Sequence, residues 1–189
     1  ILGIRVNMTG LDLKADVIAK CTDAAKRYGY DSLKFERGDI AEYDANAPAD
    51  MVVTLHACDT ATDYALHNAV CRGARMILSV PCCQHELNGQ IASDKLKLIT
   101  RYGIIKERFA ALMTDAIRAN LLESRGYKTQ VLEFVDLSHT PKNLLIRAIK
   151  KRPALDNAGR IALDEAKALM NEFSLEPTLY SLLYPHSAD

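Results

Sequence analysis

Two imidazoles and three thiols gather behind two successive apolar runs. His56 and Cys58 follow Met51–Leu55, and Cys82, Cys83 and His85 follow Met76–Val80. Thiolate and imidazole are the usual ligands of zinc, and a thiol beside an imidazole can act as a nucleophile with its base. Failing both, small thiols and hydrogen-bonded histidines line a pocket or pack in a core. Two acidic residues stand behind less apolar runs upstream, Asp12 after Val6–Leu11 and Asp39 after Leu33–Gly38. A carboxylate offers several lone pairs in one plane, so at a strand end Asp12 can accept both hydroxyls of a ribose. Asp39 can similarly meet an adenine amino group, with Ile40 against the purine face. An isolated Gly-Asp is equally a turn signal.

These side chains need elements to hold them. Val17, Ile18, Cys21, Ala24, Ala25 and Tyr28 recur at spacings of three and four, which predicts a helix over 14–28 ended by Gly29. Leu33–Glu36 alternates apolar and polar, as a half-buried strand toward a sheet edge does. Met51–Leu55 is continuously apolar or β-branched, the pattern of a central parallel strand covered on both faces. Thr60 and Asp63 have capping-box spacing ahead of an apolar face through Ala61, Ala65, Leu66, Ala69 and Val70. Met76–Val80 is the next buried strand, and the strongest helical period follows from Ile105 to Leu122. Strands around 129–136 and 143–149 are joined by Ser138–Asn143, short enough for an antiparallel hairpin. The alternation of strands and helices predicts an α/β fold: a doubly wound, mostly parallel, Rossmann-like sheet with an antiparallel C-terminal hairpin strand. Ligands of such a sheet bind beyond the carboxyl ends of its strands. The domain reading is one core over 1–152, with a helical appendage of the same domain over 153–189.

Composition narrows the class. The 189 residues are 49% apolar and 25% charged, as in an ordinary globular domain and unlike a disordered, collagen-like or coiled-coil chain. The apolar runs fall far short of the roughly 20 residues that span a bilayer, so no membrane role is expected. Five cysteines, an odd number in a chain too large to need staples, predict reduced thiols and a cytoplasmic protein. Net charge is zero, yet residues 94–160 hold 14 basic and 7 acidic side chains. Among them Lys95, Lys97, Arg101, Lys106, Arg108, Lys150, Lys151 and Arg152 could meet the phosphates of an RNA, or simply face solvent.

Several segments resemble one family when taken together. They are Gly10-Leu11-Asp12-Leu13-Lys14, Gly38-Asp39-Ile40, Leu55-His56-Ala57-Cys58-Asp59, Val80-Pro81-Cys82-Cys83-Gln84-His85 and Thr140-Pro141-Lys142-Asn143. The succession is similar to class I S-adenosylmethionine-dependent methyltransferases. Within them it is most similar to a branch of eukaryotic methyltransferase-like proteins, some labelled as ribosomal RNA adenine dimethylase domain proteins. More distantly it resembles tRNA 2′-O-methyltransferases with L-H-x-C-G and C-C-x-H motifs. The resemblance implies S-adenosylmethionine as cofactor, held by Asp12 at the ribose, by Asp39 and Ile40 at the adenine, and by Leu13 and Leu55. It implies a reaction centre with His56, Asp59 and His85, where His56 is the first candidate base and His85 the second. Cys58, Cys82, Cys83, Gln84, His139, Lys142 and Asn143 fall on the substrate side.

The sequence departs from that family in two places. Asp59 stands where the L-H-x-C-G pattern has glycine, and no D-x-G-x-G loop precedes Asp12. Ile1–Arg5 reads like the end of the helix that would follow that loop. The expectation is therefore a core lacking its first strand, part of a longer protein, which needs a second copy, as in a homodimer, or a swapped element to complete its sheet. Two other classes stay open. Pro81-Cys82-Cys83 is partly similar to the zinc deaminases' H-x-E and P-C-x-x-C, which suggests a zinc hydrolase or deaminase. Position 58 is Cys where those enzymes have Glu, and adjacent cysteines replace C-x-x-C, so no metal ligand is assigned. The other class is a non-catalytic Rossmann-like binding module.

Overall fold

The computed structural model describes residues 5–43, 47–55, 57–135 and 143–185. The chain divides into two units, residues 1–45 and 46–189. The first is a βαβ unit of β1 (Met8–Asp12), α1 (Ala15–Arg27) and β2 (Leu33–Arg37). Its strands are parallel and in register from Met8 opposite Leu33 to Asp12 opposite Arg37. Gly10 lies opposite Phe35, and a β-carbon there would come within 2.7 Å of the Phe35 ring. Glycine at position 10 therefore lets the ring lie across β1, which gives the Gly10-Leu11-Asp12 run a packing reason besides any ligand. In α1, Asp16 sits in the first turn and Lys26 and Arg27 in the last, each sign placed to suit the helix dipole.

The second unit contains β3 (Met51–Leu55), α2 (Thr60–Cys71), β4 (Met76–Val80), α3 (His85–Gln90), α4 (Lys97–Thr100), α5 (Gly103–Ser124), β5 (Tyr127–Glu133), β6 (Leu144–Lys150), α6 (Asn157–Phe173) and α7 (Thr178–Leu183). Its sheet has the order β3-β4-β6-β5. β3 and β4 are parallel, while β6 runs antiparallel to both β4 and β5. Ile77 on β4, Ile146 and Ala148 on β6 and Tyr127 on β5 are fully buried in one core with Leu66 and Ala69 of α2, Ile117, Leu121 and Leu122 of α5 and Leu179 of α7. Burying a Leu or Ile side chain contributes about 1.5–3 kcal/mol, so this layer of helices is what holds the sheet. The Tyr127 hydroxyl is satisfied inside the core, donating to the Ala74 carbonyl at 2.8 Å. Gly126 ends α5 with φ +90°, and a β-carbon there would lie 2.2 Å from the Arg152 carbonyl oxygen, so this turn needs glycine.

The predicted hairpin forms, and the α/β class holds. Three expectations are corrected. The described strands make a parallel pair and a mixed four-stranded sheet, not one doubly wound, mostly parallel sheet. In the second unit only β3 and β4 are parallel, because the hairpin strand β6 inserts beside β4. Next, β3 is not central. Among the described residues it pairs only with β4, and its alternate residues Met51, Val53 and Leu55 are 51%, 52% and 64% exposed. Its apolar run matches a doubly covered strand in composition, but composition does not report how many neighbours a strand has. Finally, Asp63 does not cap α2. The helix has Asp59 at its N-cap with no side-chain cap bond, and the Asp63 carboxylate is an internal ion-pair partner.

Candidate active site

In the first unit, Asp12 and Asp39 follow neighbouring parallel strands on the same side, as the Gly38 N–H donating to the Asp12 carbonyl at 3.1 Å requires. Each carboxylate also closes a local turn. Asp12 Oδ1 accepts from the Lys14 N–H at 2.7 Å, and Asp39 Oδ1 accepts from the Ala41 N–H at 2.9 Å. These are the Asx turns that the sequence allowed as an alternative. Each turn engages one oxygen of its carboxylate; Asp12 is half-buried and Asp39 is exposed. Leu13 is 61% exposed, and Ile40 is half-buried.

In the second unit, the parallel register pairs Leu55 with Val80, so the chain leaves both strands on the same side. That placement brings three sulfurs together. Cys58 Sγ lies 3.0 Å from Cys82 Sγ, and Cys82 Sγ lies 3.7 Å from Cys83 Sγ. The three sulfurs all fall within 4.8 Å of one another. Burial, followed by hydrogen bonding to Cys58, pushes the Cys82 thiol up to about 12, and burial raises Cys83 as well.

Asp59 is the hinge between the two exits. Its N–H donates to the Cys83 carbonyl at 3.2 Å. Its Oδ1 accepts from the His85 and Glu86 N–H groups at 2.8 and 3.0 Å, satisfying two free donors at the start of α3. It adopts φ +52° and ψ −125°, a conformation suited to glycine. The family pattern's glycine thus has a conformational reason, and at Asp59 the side-chain bonds to α3 offset the strain.

Beneath these loops lies a polar network that the motif reading missed. Arg118 on α5 donates from Nε to Asp63 Oδ1 at 2.9 Å and from Nη2 to Asp63 Oδ2 at 2.7 Å. It also donates from Nη1 to Asp115 Oδ1 at 3.2 Å and from Nη2 to the Asp59 carbonyl at 2.9 Å. Gln84 Nε2 completes the set on Asp115 Oδ2 at 3.1 Å, while the buried Gln84 Oε1 has no partner among the described residues. Burial raises both Asp63 and Asp115 above the ordinary carboxylate range, even against the pull of Arg118. Burial alone would lower Arg118, but its bonds and charge contacts with the two carboxylates leave it raised. The signal was present, since Asp115 and Arg118 stand three apart inside the strongly periodic apolar stretch from Ile105 to Leu122.

The other predicted site residues divide as follows. Gln84 is buried on Asp115. Asn143 is buried and donates from Nδ2 to the Val135 carbonyl at 3.1 Å, closing the hairpin between β5 and β6. Leu55 is exposed at the end of β3, and the His85 side chain is exposed at the start of α3. His56, His139 and Lys142 lie outside the described residues.

Residues 2–90 match a family model described as a methyltransferase domain. No curated protein matches the chain in sequence. Among solved structures, the citrinin polyketide synthase CMeT domain is similar with a TM-score of 0.44 and 15% identity. That similarity covers 80% of this chain and 41% of that one, so the chain corresponds to less than half of that structure's length.

Proposed function

We propose that the chain catalyses S-adenosylmethionine-dependent methyl transfer, with RNA as the acceptor class. The observation that carries this reading is the methyltransferase-domain match over residues 2–90, which takes in Asp12, Asp39, Asp59, the three clustered thiols and His85. The cofactor, when bound, supplies a methyl group activated on a sulfonium. In this reading Asp12 holds its ribose, with Leu13 next to it in the chain, and Asp39 and Ile40 hold its adenine. The chain's part in an in-line transfer is to orient the acceptor and, where the acceptor needs it, to take a proton. The exposed His85 imidazole is available for that proton, and His56 is the other candidate.

The RNA reading is supported by residues 95–108 more than by residues 150–152. Lys150 donates to the Arg125 carbonyl and Arg152 pairs with Asp156, both within the fold. By contrast, Lys95 and Lys97 pair with Glu172 and Asp94 at exposed sites, where ion pairs are weak and phosphates can displace them. Lys97 and Arg101 also line a concavity with Leu98 and Thr100.

Calorimetric titration of S-adenosylmethionine tests the cofactor assignment. One-to-one binding that Asp12→Ala abolishes, while Cys71→Ser retains it, is the expected result; no binding by the folded wild type would sink the proposal. Transfer of labelled methyl to total RNA, lost in Lys97→Glu/Arg101→Glu, tests the acceptor.

A further inference from the structure

We propose that Cys58, Cys82 and Cys83 form a three-thiolate site for a thiophilic divalent cation, with zinc the leading occupant. The sequence argued against metal because adjacent cysteines cannot reproduce C-x-x-C. The parallel register of β3 and β4 changes that argument by delivering the third sulfur from a neighbouring strand exit. Tetrahedral zinc with Zn–S bonds of about 2.3 Å sets its sulfurs about 3.8 Å apart. Cys82 and Cys83 already stand at 3.7 Å, and Cys58, at 3.0 Å from Cys82, needs to retreat by less than an ångström.

Ordinary core packing does not account for the cluster. Cys58 is exposed and the other two are only partly buried, so this is a rim of sulfurs facing the strand-end surface. Their hydrogen-bonding contacts are chiefly with one another, and S–H groups bond weakly. A cation converts the thiols into ligands, releasing their protons as it binds.

The loops that carry the sulfurs are already pinned. Asp59 ties its own loop to the Cys83 carbonyl and to the first N–H groups of α3, while the Arg118 guanidinium holds the Asp59 carbonyl from below. Such supporting bonds fix ligand positions before the metal arrives. The exposure of Cys58 leaves the fourth coordination position open to water or to a substrate atom. The site stands independently of the methyl-transfer reading.

The test uses the full chain, reduced and stripped of metal, titrated with Co²⁺ and then Zn²⁺. The expected result is one equivalent of Co²⁺ with a thiolate-to-metal charge-transfer band in the near ultraviolet that Zn²⁺ displaces. Cys58→Ser and Cys82→Ser should weaken binding by more than about 100-fold, since even changes behind the ligands cost up to that much. Cys21→Ser should bind like the wild type. A wild-type titration without the charge-transfer band, or a band unchanged in Cys58→Ser, overturns the site. So does a Cys58–Cys82 disulfide that persists in protein purified under reducing conditions.

Discussion

Arg118 and Asp63, 55 residues apart, form a two-point ion pair in which both side chains are only 2% exposed. The guanidinium fork matches the carboxylate, and its remaining N–H groups reach Asp115 and the Asp59 carbonyl. One cation therefore serves two buried carboxylates and one strand-end loop. Arg118→Met would leave both carboxylates buried without a counter-charge, a change that costs about 3–5 kcal/mol. Arg118→Lys should recover only part of that, because a point charge cannot make the same fork. Urea unfolding followed by circular dichroism checks both. A loss below about 1 kcal/mol for Arg118→Met would mean that the network contributes little.

Asp59 separates conformational strain from side-chain bonding. Asp59→Gly relieves the backbone at φ +52° but loses the bonds to the His85 and Glu86 N–H groups, whereas Asp59→Ala loses the bonds and keeps the strain. Strain of this kind costs about 1–3 kcal/mol. The expected order of stability is wild type, then Gly, then Ala, read from thermal unfolding midpoints. Equal midpoints for the Gly and Ala variants would show that position 59 carries no backbone strain.

Much of the fold was legible because hydrophobic period and turn residues are local signals. The periodicity from Ile105 to Leu122 marks the middle of α5, and the short Ser138–Asn143 joint predicts the antiparallel pairing of β5 with β6. Strand neighbours are not local signals. Nothing in Met51–Leu55 tells that β3 pairs with β4 alone among the described residues, or that β6 inserts next to β4. The site was legible to a similar degree. Strand ends located Cys58, Cys82 and Cys83, but only the register shows that their sulfurs meet. Asp63 looked like a capping residue because cap spacing and ion-pair geometry draw on the same residue types. Its actual partner lies on a helix that spacing cannot connect to it.

Glu86 gives a pH dependence whose sign follows from its surroundings. Burial raises its carboxyl above the ordinary 4.5, although the Thr178 hydroxyl and N–H both donate to it. A raised native value means that the folded chain keeps a proton that the unfolded chain has released. Glu86 therefore lowers stability as pH rises from about the ordinary carboxylate range through its raised native value, and adds no dependence below that range. Glu86→Gln retains an acceptor for Thr178 without the charge. Its urea midpoint should gain on the wild type between acidic and neutral pH. A difference between the two that stays constant over that range would remove the burial argument.

The thiol cluster makes its own prediction about reactivity. With its thiol pushed from 9.0 up to about 12, Cys82 holds almost no thiolate near neutral pH, and the thiolate is the reacting species. In chelator-treated protein, iodoacetamide should therefore modify the exposed Cys71 well before Cys82. The rate at Cys82 should keep climbing as pH rises past the range in which an ordinary cysteine levels off. Peptide mass spectrometry of a timed alkylation at several pH values reads both sites in one sample. Replacing Cys58 by Ser removes one of the neighbours that oppose ionisation at Cys82, so the Cys82 reaction should become faster in that variant. A Cys82 as reactive as Cys71, with no response to the loss of Cys58, would mean that the sulfurs do not sit together in solution.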